Sequence, residues 1–491
     1  MIRFEIIFNQ YGMKYNTDWY IMQKHIFKEY DIRGIVGKEL LIDHVEKLTK
    51  AILSFYKKKK PEVQRVAVAM DGRLHSDAMY QAVSKAITQQ GLHVYFLGVC
   101  PISAFHFGLY HLPVQAGIMI TGSHFSKEYN GFKLYLDKEP VWGNDIQRIY
   151  QLFLEDSQEK YTDKVGKIFP TSIIDQYVES LWQEFSYLSQ YDFSVIIDCA
   201  QGPVGPVLKK LIHKMGWKKV ETIGDIVDGS FSEHDPNPCN RDNMNQLFNC
   251  LKKNKGFFGI GFDGCGGRMI GMEDNGSLIL GDRLLALFAQ DILQQSKEAM
   301  VVYDVKSSVV IQEVVKKYHG QCKVAPSGTP LIQQQMKNNG GLLAGELSGF
   351  YFFKDRHVGY FDGIYAMLRL LDILVKERKS LYELLQDIPK KYSSYEIRIP
   401  CTDEQKHIIV QKVFHAISLQ KKWKISQVDG IRVENEQSWG VLRASRTEPV
   451  VSLRCEGKNK NDFLLVQREF TELLKEHIKA DILKKCFLNK D

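Results

Sequence analysis

Apolar residues fall into two rhythms along this chain. Arg65-Val66-Ala67-Val68-Ala69-Met70 is a short continuous apolar run of the buried-strand type. Asp77 to Gln90 then carries apolar residues at helical spacing, and His93-Val94-Tyr95-Phe96-Leu97 is strand-like again. Strand, helix, strand in this order predicts a βαβ unit, with a mixed or parallel sheet covered by helices. The rhythm returns at Ser194 to Asp198, followed by a Gly202–Gly205 turn and a helix from Pro206 to Met215. It returns again at Phe257 to Phe262, at Met300 to Asp304 and at Gly341 to Ala344. Three successive α/β domains of similar, doubly wound build are therefore expected.

The tail has another pattern. Tyr395 to Ile399, Gly430 to Val433, Trp439 to Arg443 and Val450 to Arg454 read as strands, with helices at His407 to Leu419 and Phe463 to Ile482. That order predicts a smaller C-terminal α+β domain. Five segments follow: an extension at 1–23, three α/β domains at 24–168, 169–278 and 279–390, and the α+β domain at 391–491. The Lys390–Ser394 stretch is the expected hinge.

Composition narrows the class. A chain of 491 residues is too long for one core, and 44% hydrophobic with 25% charged residues is ordinary for a globular protein. The net charge of +7 is mild over this length. The lysine runs at Lys57–Lys60, Lys252–Lys255 and Lys421–Lys424 are far apart, so they read as solvated surfaces rather than a nucleic-acid patch. The nine cysteines are scattered, with no C-x-x-C pair, which fits reduced thiols in a cytoplasmic protein. No apolar run approaches the ~18 residues of a membrane span. The N-terminus lacks an apolar secretory core. Met22 stands just before the first patterned block, so either Met22 is the start or the preceding extension is disordered.

The most informative stretch is Thr121-Gly122-Ser123-His124-Phe125-Ser126-Lys127-Glu128-Tyr129-Asn130-Gly131-Phe132-Lys133. It follows the strand-like Ala116–Ile120, so Ser123 falls at a strand's carboxyl end, where open α/β sheets place their chemistry. Ser123 is a nucleophile candidate with His124 beside it and Lys133 within reach. The segment resembles the phosphoserine loop of the α-D-phosphohexomutases, the phosphomannomutase/phosphoglucomutase family: Thr121, Gly122, Ser123, His124, Tyr129, Asn130, Gly131 and Lys133 match. Phe125 and Ser126 replace that family's Asn-Pro. Further matching blocks run in order from about Phe27 to Glu456.

The resemblance implies a phosphoryl relay. Ser123 would carry the phosphoryl group, give it to a hexose monophosphate, and take the other phosphate back from the resulting hexose bisphosphate. Such transfer needs in-line positioning and charge neutralisation more than covalent help. His124 would orient the phosphate or substrate, and Lys133 would offer a proton or a positive charge. Arg33, in Glu29-Tyr30-Asp31-Ile32-Arg33-Gly34, would pair with the serine phosphate. Glu346 and Ser348, in Gly345-Glu346-Leu347-Ser348-Gly349-Phe350, would bind sugar hydroxyls. Arg443, Ser445 and Thr447, in Arg443-Ala444-Ser445-Arg446-Thr447-Glu448-Pro449, would clamp the phosphate not being transferred. The three α/β domains would carry the phosphoserine, the metal loop and the sugar loop in that order around a central cleft.

The chain departs from this pattern at the metal loop. The family holds Mg²⁺ with three alternating aspartates and the serine phosphate. Gly261-Phe262-Asp263-Gly264-Cys265-Gly266-Gly267-Arg268 keeps Asp263 and Arg268, while Cys265 and Gly267 stand at the other two aspartate places. A thiol is a soft ligand and glycine offers none, whereas Mg²⁺ asks for hard oxygens. Glu273 and Asp274, close in sequence, read as part of a turn. Phe350 replaces a histidine of the sugar loop, and Thr329 replaces another in Ser327-Gly328-Thr329-Pro330. Arg446 either adds charge to the clamp or blocks its mouth, and Lys323 has no assigned role. Two readings stay open: a magnesium-dependent phosphohexomutase acting through a hexose bisphosphate, or a paralogue that keeps the fold and sugar-phosphate binding with impaired turnover. The departures favour the second for robust activity. The partners implied are small hexose phosphates; glucose versus mannose, and monomer versus homodimer, are left open.

Overall fold

The computed structural model describes residues 22–155 and 164–488. Four sheets follow one another along the chain. The first is built from β1 (Ile32–Ile35), β2 (Arg65–Met70), β3 (His93–Val99), β4 (Ala116–Ile120), β5 (Tyr129–Leu136), β6 (Glu139–Pro140) and β7 (Ile168–Pro170). Its order is β1-β5-β4-β2-β3-β7, with β6 beside β5. β4, β2, β3 and β7 are parallel, whereas β5 runs antiparallel to both β4 and β1. Every residue of β4 is buried, as expected of a strand covered by helices on both faces.

The second sheet has the order β12-β11-β10-β8-β9, formed by β8 (Val195–Asp198), β9 (Val220–Ile223), β10 (Phe258–Phe262), β11 (Met269–Met272) and β12 (Leu278–Ile279). The third is β14-β13-β15-β16, from β13 (Met300–Asp304), β14 (Gln321–Ala325), β15 (Leu343–Gly345) and β16 (Tyr351–Phe353). Both keep a parallel centre with an antiparallel edge. The fourth comprises β17 (Tyr392–Ser393), β18 (Ile397–Pro400), β19 (Lys424–Ser426), β20 (Ile431–Glu434), β21 (Ser438–Ala444) and β22 (Val450–Gly457). It is antiparallel throughout. Three α/β units and one α+β unit are thus present. The first sheet runs on to Pro170, past the boundary expected at 168, because β7 pairs along β3.

The joints between these units differ in character. One apolar cluster runs from the Ala67, Ala69 and Met119 face of the first sheet, through the helix Ile102–His111, into the second and third units. The fourth unit has a core of its own. It meets the third through the small cluster Val305, Trp439 and Val441 and through polar contacts: Arg454 to Asp282 at 2.8 Å, and Arg432 and Arg454 to the carbonyls of Val305 and Lys306 at 2.6 Å each. Less apolar area holds this joint, so it is the joint best suited to move. The expected hinge carries β17, whose two residues pair with the end of β22.

One sequence expectation fails in the tail. Phe463 to Ile482 is not one helix: Lys460–Lys475 ends, and Ala480–Leu488 begins after a turn. The turn carries Ile478, and the second helix carries Leu483, into the core of the fourth unit. The expectation about residues before Met22 lies outside the described residues. No helix among the described residues is long and apolar enough to cross a membrane.

Candidate active site

Ser123 sits just past the carboxyl end of β4, in a loop with little freedom. Its φ is +52°, a left-handed conformation that non-glycine residues adopt only when the surroundings impose it. The imposition is visible. Arg73, buried below the loop, spends all of its donors: Nε on Asp71 at 3.1 Å, Nη1 on the carbonyls of Ser126 and Tyr129 at 2.6 and 2.8 Å, and Nη2 on those of Ser123 and Phe125 at 2.9 and 2.5 Å. Asp71 accepts from the Thr121 hydroxyl at 2.7 Å, the Gly122 amide at 3.2 Å and Ser76 at 3.0 Å. A Cβ at Gly122 would lie 2.4 Å from Cζ of Arg73 and would push the guanidinium off its partners. Arg73 also packs over Phe231 of the second unit at 4.9 Å.

The Ser123 hydroxyl points at the second unit's loop and donates to Oδ2 of Asp263 at 2.8 Å. That loop, 263–268, is the tight connection between antiparallel β10 and β11. It closes on the Asp263 carboxylate: Oδ1 accepts the amides of Gly267 at 2.8 Å and Arg268 at 3.0 Å. The Cys265 thiol lies 3.5 Å from Oγ of Ser123 and from Oδ2 of Asp263. Burial, reinforced by Asp263, pushes that thiol up to about 12, so it is protonated at neutral pH. The residues present do not fit Mg²⁺. Asp263 is the one hard carboxylate, its oxygens are engaged by hydrogen-bond donors, Cys265 is soft, and Gly267 contributes no side chain. Among the described residues no group of three His, Cys, Asp or Glu side chains is arranged to hold a metal ion. Glu273 and Asp274 lie in the β11–β12 turn, where the Glu273 amide bonds the Ser277 carbonyl at 2.9 Å.

Positive charge gathers around Ser123. Arg33, on β1, is buried and paired with Asp31, which Lys133 of β5 also approaches at 3.4 Å. Burial alone would raise the Asp31 carboxyl, but Arg33 and Lys133 hold it below its ordinary value. Arg33 lies over the ring of Phe125, 4.5 Å from its centroid, so one replacement in the serine loop supports the arginine. His124 has Nε2 3.4 Å from Arg268. Burial, then Arg268 and Arg33, lower its pKa well below the usual range, so it is neutral at pH 7. A neutral ring can accept one hydrogen bond and donate another.

The loop expected to bind sugar hydroxyls joins β15 to β16. Glu346 is buried, accepts the Ser348 hydroxyl at 2.9 Å and the Gly328 amide at 3.1 Å, and has its pKa raised by burial and by Asp304. The loop expected to clamp the distal phosphate joins β21 to β22. Arg443 is fixed through Nε to Asp429 at 2.8 Å, and the Ser445 oxygen accepts the amides of Thr447 and Glu448 at 3.4 and 3.2 Å. Arg446 reaches Asp429 at 3.4 Å and Glu29 of the first unit at 3.5 Å, a charge strut across the mouth of the clamp. Tyr30 of the first unit donates to the Ser327 carbonyl of the third at 2.8 Å.

These loops enclose one cavity of about 870 Å³. Arg33, Ser123, His124 and Lys133 line it from the first unit, Arg268 from the second, Glu346 and Ser348 from the third, and Arg443, Ser445 and Thr447 from the fourth. Thr329 and Phe350 are on its wall too. Asp263, Cys265 and Gly267 lie beneath the floor, fully buried. Lys323 is exposed on β14, away from the cleft. Sequence reasoning missed the Asp71–Arg73 support, although Asp-Gly-Arg directly after a strand was a signal. It also missed Lys306, a cleft lysine paired with Glu396 at 3.1 Å, which has no motif to mark it.

A serine hydroxyl at a strand end, facing one cavity lined by loops of all four units and by arginines of the first, second and fourth, is the arrangement of a phosphosugar-handling α/β protein. Known proteins agree. Models of the phosphoglucomutase/phosphomannomutase alpha/beta/alpha domains I, II and III match residues 24–160, 175–276 and 280–392, and the model of its C-terminal domain matches 396–473. The phosphomannomutase/phosphoglucomutase of Pseudomonas syringae is 32% identical over 459 residues, covering 93% of this chain and 96% of that protein. A Burkholderia thailandensis phosphoglucomutase/phosphomannomutase family protein superposes with a TM-score of 0.84 at 28% identity, covering 94% of this chain and 99% of that one. An Aspergillus fumigatus N-acetylphosphoglucosamine mutase, solved with GlcNAc-6P and magnesium, shares the fold at a TM-score of 0.54 and 15% identity, covering 87% and 86%. The chain belongs to the phosphoglucomutase/phosphomannomutase family, the α-D-phosphohexomutases.

Proposed function

We propose that this protein interconverts hexose 1-phosphates and hexose 6-phosphates through Ser123. The observation that supports the reading is that Ser123 lines one cavity together with basic and polar side chains from all four units. Ser123, once phosphorylated, gives its phosphoryl group to the free hydroxyl of a bound hexose monophosphate. The resulting bisphosphate turns over and returns its other phosphate to Ser123. Arg33, Lys133 and Arg268 neutralise the transferring group, and Lys133 exchanges a proton with the sugar oxygen. Glu346 and Ser348 bind sugar hydroxyls while Arg443, Ser445 and Thr447 hold the distal phosphate. His124, neutral and beside Arg268, orients the phosphoryl oxygens.

A second reading, sugar-phosphate binding with impaired turnover, is favoured by Cys265 and Gly267. Losing a cation's charge at a phosphoryl-transfer site costs several kcal/mol of transition-state stabilisation, and each ~1.4 kcal/mol is tenfold in rate. One set of assays separates the two. Glucose 1-phosphate and mannose 1-phosphate are supplied with a hexose 1,6-bisphosphate activator, and formation of the 6-phosphates is followed for the native protein and Ser123→Ala. Turnover lost in the variant supports the mutase. Tight binding of both sugars without turnover supports the second reading. Neither binding nor turnover rejects both.

A further inference from the structure

Phe350 is far in sequence from the loop that carries Cys265 and Gly267, yet it packs directly against that loop. A Cβ at Gly267 would lie 3.0 Å from the ring carbons of Phe350 and of Phe361, and 3.2 Å from Cγ2 of Ile102. A side chain at position 267 would therefore press on both rings and on Ile102; the Phe350 ring itself packs edge-on against Phe361 with centroids 4.8 Å apart. The same ring carries the Arg268 guanidinium, 4.9 Å from its centroid. On the other side of the loop, the donors around Asp263 are complete: two amides on Oδ1, the Ser123 hydroxyl and the Cys265 thiol on Oδ2. The Asp263 oxygens are thus committed to hydrogen-bond donors, and no other hard oxygen side chain stands in the loop.

We propose that this loop takes no divalent cation, and that a phosphate at Ser123 is held by Arg33, Lys133 and Arg268 in its place. The three cations share the cavity wall with Ser123. Arginine suits the task because its planar fork meets phosphate oxygens in pairs. A further consequence follows from the packing. Restoring aspartates at 265 and 267 does not by itself rebuild a metal site, because a side chain at 267 is crowded by the Phe350 ring together with Phe361 and Ile102. The inference rests on the phosphohexomutase reading for its ligand, while the metal question can be answered independently of that reading.

The test has two arms. In the first, Mn²⁺ is titrated against the purified protein and followed by electron paramagnetic resonance, for the native chain, Cys265→Asp/Gly267→Asp, and the triple variant that adds Phe350→His. Circular dichroism checks the fold of each. The native chain is expected to bind no Mn²⁺ in the millimolar range, and the triple variant to bind at least about tenfold more tightly than the double variant. Micromolar Mn²⁺ binding by the native chain, abolished in Asp263→Asn, overturns the proposal without any engineered site. Equal affinity of the double and triple variants overturns the role given to Phe350. In the second arm, glucose 1-phosphate binding is measured calorimetrically with EDTA or with Mg²⁺. Equal affinity in the two buffers, lost in Arg268→Gln, is expected; binding that requires Mg²⁺ contradicts the proposal. No binding in either buffer removes the phosphohexomutase reading and the phosphate half with it, while the Mn²⁺ titration still judges the loop.

Discussion

Replacing Arg73 by lysine should free the serine loop without unfolding the protein. The guanidinium meets four loop carbonyls and Asp71 with all five of its N–H donors, at distances from 2.5 to 3.1 Å. Lysine keeps the charge but has three donors on a single nitrogen, so at least two of these five acceptors lose their partner. A hydrogen bond to a charged group contributes about 1.5–3 kcal/mol net, and neighbouring losses are not additive. A total of about 3 kcal/mol is expected for the loop, roughly a hundredfold in its opening equilibrium. Native-state amide exchange across residues 122–131 measures this directly, because it reports local opening rather than global unfolding. Protection there should fall about a hundredfold in Arg73→Lys, with β8 and β13 unchanged. Phosphoryl uptake by Ser123 should fall with it, since the left-handed backbone at that residue relies on these contacts. A loop whose protection stays within about threefold of the native value would refute the claim that Arg73 holds Ser123 in place.

Gly122→Ala should reproduce the same loop opening at a cost of about 2 kcal/mol or more, because the new methyl would meet Arg73 at 2.4 Å; amide exchange over the loop checks it. Phe350→Ala should lower stability by about 3 kcal/mol through the cavity it leaves, seen as a lower calorimetric midpoint, even though the family pattern marks the position as a sugar contact. His234 donates from Nε2 to the Asp198 carboxylate at 3.0 Å; burial pushes its pKa down, but Asp198 overrides this and raises it to about 9. A raised folded-state value stabilises fully below the ordinary 6.5 and is lost as pH rises through 9. Urea midpoints should therefore fall between pH 6.5 and 9 by an amount equivalent to about 1–2 kcal/mol after solvent screening, and His234→Gln should flatten that fall.

The fold was largely legible because the strands announce themselves. Val66–Ala69 and Ile118–Ile120 are continuous apolar runs, as buried central strands must be, and the structure sets them side by side. The tail helix was misread because Ile478 fits a helical period and yet is buried by a turn, a choice that depends on the core of the fourth unit rather than on local pattern. In the site, the loops carrying Ser123, Glu346 and Arg443 could be picked out because they resemble known blocks. Asp71 and Arg73 could not be ranked, since one Asp-Gly-Arg turn looks like many others until its partners some 50 residues away are known. The packing of Phe350 onto Gly267 was beyond reach for the same reason: two substitutions distant in the chain reveal their mutual dependence only when the distance between them is known.

The central claim is that Ser123 accepts and returns a phosphoryl group in a cleft that binds hexose phosphates. Intact-mass and fragment mass spectrometry after incubation with hexose 1,6-bisphosphate tests it most directly. One phosphoryl group localised to Ser123, absent from Ser123→Ala and removed again by added hexose monophosphate, is the expected result. A protein that binds the bisphosphate yet never carries phosphate at Ser123 would contradict it.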